Sequence, residues 1–168
     1  LARRDHHYLY QLDKNKMELH YSLKPKDESK AVKGMGRDLN ISFKHAVVIC
    51  DKLRGMKLMD AIKLLEAVIA LEKTIVFKKF KKGIGHRRGL GKENIGKYPK
   101  KAASEILNVL RNLETNADYK GLDLERLRIT HIQALKGIAR RRRKPKGRWA
   151  IWRSQLVNVQ AIAEESTK

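Results

Sequence analysis

Apolar residues recur every three to four positions in three stretches of the chain. Ala46, Ile49, Cys50 and Leu53 fall on one face of a helix that Ser42 can cap and that runs through Arg54 to a stop at Gly55. Leu58, Ala61, Ile62, Leu65, Val68 and Ile69 predict a second helix over 58–71, with Asp60 suited to its positive first turn. The strongest stripe is Ala102, Ala103, Ile106, Leu107, Leu110 and Leu113. Pro99, a residue suited to the first helical position, opens this third helix. Gly121, with Leu122 behind it, closes it.

Elsewhere the pattern changes. In "AVKGMGRDLNI", Val32 and residues 39–41 suggest a short strand interrupted by glycines. "LRITHIQAL" and "WAIWRSQLVNVQAI" are rich in β-branched and aromatic residues, and the second partly alternates, so the two read as a long β-hairpin. Its connection exceeds the usual length of about two to five residues, a mark of function. Residues 1 to about 30 are polar, with little core of their own, and residues 78–98 are a glycine-rich basic loop whose shape depends on its partner. The expected organisation is a single α+β domain over 1–168, with an extension at 1–23, a body over about 24–130 and a hairpin over about 127–162.

Charge narrows the function. The chain has 168 residues, and its 39 Lys and Arg against 18 Asp and Glu give +21. Such self-repulsion weakens a compact state unless a polyanion relieves it, which makes nucleic acid the leading partner and an anionic membrane surface the second. No apolar run approaches the roughly 18 residues of a spanning helix, and the amino end lacks the apolar centre of a signal peptide. The lone cysteine, Cys50, excludes an internal disulfide and fits a reducing compartment.

The charge is concentrated in Lys136–Arg153, "KGIARRRRKPKGRWAIWR", which has nine Lys or Arg and no carboxylate. From Arg126 to Ala163 there is no Asp or Glu. A hairpin arm of a dozen residues extends roughly 40 Å, against a radius of gyration of about 15 Å for a compact chain of this length, so the arm should project. A bare two-stranded ribbon is marginally stable in water and needs a surface to lie in. Arginines bind phosphates and the indoles of Trp149 and Trp152 stack on unpaired bases. Residues three apart in a strand face opposite ways, so one Trp at most would stack.

Other motifs fall short of chemistry. "GKENIGKY", Gly91–Tyr98, nearly spells a phosphate-binding loop, but Tyr98 stands where the magnesium-binding hydroxyl must be. None of the six histidines has a recognised metal-site spacing, and no nucleophile signature exists, so no catalytic residue, metal or cofactor is expected. Lys97, Lys100 and Lys101 surround the start of the third helix, where positive charge opposes the dipole. Their functional reading is that lysines and free backbone N–H groups together hold an RNA phosphate. The candidate RNA-binding residues are these three with Lys78, Lys79, Lys81, Lys82, His86, Arg87, Arg88, Lys92, Lys136, Arg148, Trp149, Trp152 and Arg153. Arg140, Arg141, Arg142, Arg143, Lys144, Pro145, Lys146 and Gly147 form the hairpin tip. A basic run can also be a nuclear-import signal, but its place inside a hairpin, with Trp149 and Trp152 interleaved among the basic residues, favours nucleic-acid contact.

"GRDLNISFKHAVVICDKLRGMKLMDAIKLLE", "GKYPKKAASEILNVLRNLETNADYKGLD" and "ITHIQALKG…KGR" resemble universal large-subunit ribosomal protein twenty-two. The basic insertion before "YPKKA" is that of the archaeal and eukaryotic branch, and the resemblance spans about residues 20–163. It implies three helices packed on a small three-stranded antiparallel sheet, a long projecting β-hairpin, and binding to large-subunit rRNA. It also implies that the hairpin lines the nascent-polypeptide exit tunnel near its constriction beside ribosomal protein four, in the cytoplasm, touching the nascent polypeptide. Gly147 and Arg148 match the family's closing Gly-Arg step, while the tip is more uniformly basic than the family pattern. The rival binding reading is a free-standing architectural nucleic-acid-binding protein. An enzyme is disfavoured because the basic segments hold no carboxylate cluster for a metal.

Overall fold

Two glycines decide how the sheet meets its helices. The structure is a computed structural model that describes residues 21–25, 27–88, 90, 94–147 and 150–166. Strand β1, Ala31–Leu39, runs without a break through Gly34 and Gly36. A Cβ on Gly34 would meet Leu113 Cγ at 2.9 Å, and one on Gly36 would meet Val109 Cγ2 at 2.7 Å. These glycines do not interrupt a strand, as their low propensity suggests; they let a helix lie directly on it.

Helix α1 spans Phe43–Leu53, α2 Leu58–Ile69 and α3 Lys100–Lys120. The apolar stripes read from the sequence are the buried faces, and Leu53, Leu58, Leu65, Ile106, Leu110 and Leu113 are fully enclosed. Pro99 stands one position earlier than expected, as the N-cap of α3, and Gly121 ends that helix at φ +69°. Cys50 is buried in α1, and desolvation pushes its thiol up to about 12.

The main sheet has the order β1-β5-β4, with β4 over Leu127–Arg143 and β5 over Ile151–Glu165. All pairs are antiparallel. Helix α3 packs on β1 and α2, and α1 packs on β4. Val32, Val157, Val159, Ala161, Ala163, Ile129, Ile132 and Ala134 give the sheet's side of the core. On the opposite face, Gln160 is buried and its Oε1 accepts from Ser22 N and Ser22 Oγ, both at 3.1 Å. Residues 21–25 therefore lie back on the sheet at this point; the extension over residues 1–20 lies outside the described residues.

Residues 78–98, expected to be a loop whose shape depends on its partner, supply one strand of a second, smaller sheet. Ile75–Val76 (β2) pairs with Gly96–Lys97 (β3), and His86 bridges Ile95. Phe77, buried, donates its N–H to Ile95 O at 3.1 Å and fastens the segment to the core. Gly96 of the near phosphate-loop motif is thus a strand residue packed on Thr74 and Leu90.

Candidate nucleic-acid interface

Three basic regions meet solvent. The first is the start of α3, where Lys97, Lys100 and Lys101 are exposed. They share a groove of about 580 Å³ with Ser42 and His45 from the start of α1 and Ser154 and Gln155 from β5. Neither helix has a side-chain cap or an acidic residue in its first turn. Two positive dipole ends and three lysines therefore converge without a carboxylate, an arrangement that opposes folding and favours an anion. His45 stacks edge-on against Phe77, with ring centroids 5.6 Å apart. Burial, and then the charge on Lys97, hold its pKa below the usual histidine range.

The second region is the ordered basic segment after β2. Lys78, Lys79, Lys81, Lys82, His86, Arg87 and Arg88 are all exposed. Lys79 is ion-paired with Asp51 at 3.0 Å, and Arg87 sits over the Tyr98 ring, 5.6 Å from its centroid. Arg87 N–H also donates to Asn94 O, at 2.6 Å. The charges of this segment are thus held on a short scaffold tied to the body. Lys92 lies outside the described residues.

The third region is the arm. Up to Ala134, β4 alternates between buried and less buried positions, and beyond Lys136 its residues are almost all exposed. Cross-strand pairs are Arg140 with Ser154, Arg141 with Arg153, Arg142 with Trp152 and Arg143 with Ile151. Paired residues share a face, so Arg141, Arg143 and Arg153 lie on the side continuous with the helices, and Arg140, Arg142 and Trp152 lie on the other. Both faces of the ribbon are cationic. Arg140, Arg141 and Arg142 have no ion-pair partner among the described residues. Lys136 stands at the root of the arm, 5.4 Å from the Phe43 ring centroid. At the tip, Lys146 and Gly147 adopt φ +70° and +66°, so the turn reverses through two left-handed residues. Arg148 and Trp149 lie outside the described residues.

Sequence reasoning placed the lysines and the arm. It missed Ser42, His45, Ser154 and Gln155 as walls of the helix-start groove, because they converge from segments far apart in the chain. The uncapped Ser42, followed by no acid in the first turn, was the one local signal.

The family model described as "Ribosomal protein L22p/L17e" matches residues 34–164. The chain is 51% identical over 148 residues to "Large ribosomal subunit protein uL22" of Archaeoglobus fulgidus, covering 87% of this chain and 96% of that one. It is 45% identical over 141 residues to the protein of that name from Methanococcus vannielii, covering 83% and 92%. The corresponding Methanocaldococcus jannaschii protein is 43% identical over 150 residues, covering 88% and 96%.

Proposed function

Because the chain belongs to the ribosomal protein L22p/L17e family, we propose that its basic arm and helix-start groove bind large-subunit rRNA and that the arm lines the nascent-polypeptide exit tunnel. Membership makes the protein a structural constituent of the large ribosomal subunit in the cytoplasm, and not an enzyme. The finer reading rests on one observation above all. The arm is a ribbon with cations on both faces and no carboxylate between Arg126 and Ala163.

A protein that met RNA on one side only would gain nothing from charging the other. A ribbon seated between walls of RNA uses both. Arg141, Arg143 and Arg153 on one face, and Arg140 and Arg142 on the other, can each neutralise phosphates. Lys97, Lys100 and Lys101 then dock the body at the arm's root, with backbone N–H groups of two helices adding directional donors. Residues at the tip that do not meet rRNA face the passage and the emerging chain. Neighbouring ribosomal proteins, protein four at the constriction among them, complete the surroundings.

The test is the salt dependence of binding between the purified protein and large-subunit rRNA. Each phosphate contact contributes about 0.7–0.9 to the slope of log affinity against log salt, so affinity should fall by about three orders of magnitude or more between 50 and 200 mM salt. A nearly flat response sinks the electrostatic mechanism. Density for the assembled subunit with the tip on the solvent side would sink the tunnel assignment.

A further inference from the structure

The face of the sheet turned away from the helices carries a groove of about 370 Å³ at the root of the arm. Its walls come from three strands: Asp38 and Asn40 at the end of β1, Arg140 and Arg142 on β4, and Trp152 and Ser154 on β5. Trp152 is directly across from Arg142 and is 59% exposed, a large indole surface with nothing over it among the described residues.

Asp38 is the unusual member. It has φ +51°, in the left-handed region, beside a register shift between Gly36 and Leu39. Its N–H has left the strand ladder and donates instead to Asn158 Oδ1 at 2.7 Å. Across the sheet Gly137 makes room, since a Cβ there would lie 3.2 Å from both Asp38 Oδ1 and Asn158 Oδ1. The carboxylate so placed has no hydrogen bond or ion pair among the described residues, although two arginines line the same groove. A carboxylate in a region built to bind polyanions weakens phosphate binding. A carboxylate in this position suits a ligand group that donates hydrogen bonds.

We propose that this groove holds one unpaired guanine of an RNA strand, stacked on Trp152, with Asp38 on its Watson–Crick edge and Arg140 or Arg142 on its O6 and N7. This rests on the reading of the arm as an RNA-binding element. Among the four RNA bases, guanine alone presents two adjacent donors, N1–H and the 2-amino group, to a carboxylate, and two adjacent acceptors to a guanidinium. Adenine places an acceptor, N1, against Asp38. Uracil offers a single N–H, and cytosine has an amino group but no N7 edge for the arginine. The indole provides the sequence-tolerant stacking surface, and the carboxylate and arginine supply the choice.

The probes are pentaribonucleotides of uridine with guanosine, adenosine, inosine or uridine at the centre, titrated into the full chain at one low salt concentration. The Trp152 indole N–H resonance reports occupancy. The guanosine strand should bind about ten-fold more tightly than the adenosine strand and shift the Trp152 signal most. Inosine lacks the 2-amino group and should lose several-fold. Asp38→Asn keeps a residue type that tolerates left-handed backbone and removes a negative charge. The uridine strand should then bind at least as tightly as to wild type, while the preference for guanosine falls below about two-fold. Equal affinities for all four strands, or binding of none of them, overturn the guanine site. Guanosine monophosphate binding as tightly as the guanosine strand would mark a free-nucleotide site and also overturn it. The inosine arm needs no variant and stands if Asp38→Asn fails to fold. The salt slope with whole rRNA is read separately: a steep slope with no base preference removes this inference alone, and a flat slope removes the parent reading.

Discussion

Strands β4 and β5 form one ladder made of two unlike halves. Near the body, Ile129, Ile132, Val157, Val159 and Ala161 are buried under three helices. In the arm, Ile138, Ile151 and Trp152 are 65%, 64% and 59% exposed among arginines. Antiparallel pairing continues through both halves, with a register shift between Lys136 and Ala139, but the source of stability changes. The base is held by apolar burial. The arm keeps its shape in isolation only through its own ladder, and two strands alone are marginal in water. Its missing stabilisation has to come from outside, and its charge says in what form.

Hydrogen exchange should separate the halves most widely. Amides of Val157–Ala163 should open only with global unfolding, while those of residues 138–153 exchange faster by a factor of about a thousand or more in the free protein. Equal protection would mean the arm packs on the body. Next in size is the replacement of Arg140, Arg141, Arg142 and Arg143 with Ser. The urea midpoint should stay put, and the salt slope of rRNA binding should fall by about three units, at 0.7–0.9 per lost contact. A shifted midpoint with an unchanged slope would assign these arginines to the fold.

Core substitutions sharpen the same contrast. Leu110→Ala should cost about 2–5 kcal/mol in urea unfolding, and Ile151→Ser less than about 0.5 kcal/mol. Gly34→Ala should be felt too, at about 1–3 kcal/mol, because Leu113 lies 2.9 Å from the added methyl.

The smallest effect expected concerns His45. Its folded pKa is lowered, so the unfolded chain binds more protons as pH falls through the usual histidine value. Stability should be unaffected by this group above about pH 6.5 and decline below it. His45→Gln should flatten that part of the profile, read from thermal unfolding at a series of pH values. An identical profile in the variant would remove His45 as the cause.

The sequence disclosed the helices because each repeats its period over several turns, and every stripe residue from Ala46 to Leu113 is buried except Ile69, which is half-buried. It disclosed the arm because charge and length were both extreme. The small sheet was hidden: β2 and β3 are two residues each, too short for any period to register. β1 looked broken for a different reason, since Gly34 and Gly36 serve helix approach, which no local pattern records. The partners of the helix-start groove were hidden in the same way. Ser42, Tyr98 and Gln155 meet only in three dimensions.

The register shifts at the root of the arm have an evolutionary consequence. One lies between Gly36 and Leu39 and the other between Lys136 and Ala139, at the level where burial ends. Pairing is reset there, so the alignment of the arm is not inherited rigidly from the core. Adding or deleting one residue from each arm strand would leave the base in register, while an unmatched single change would be absorbed at the tip or the bulge. The arm can thus lengthen, shorten or be rewritten without endangering the domain that carries it. Reach and foldability become separately heritable traits.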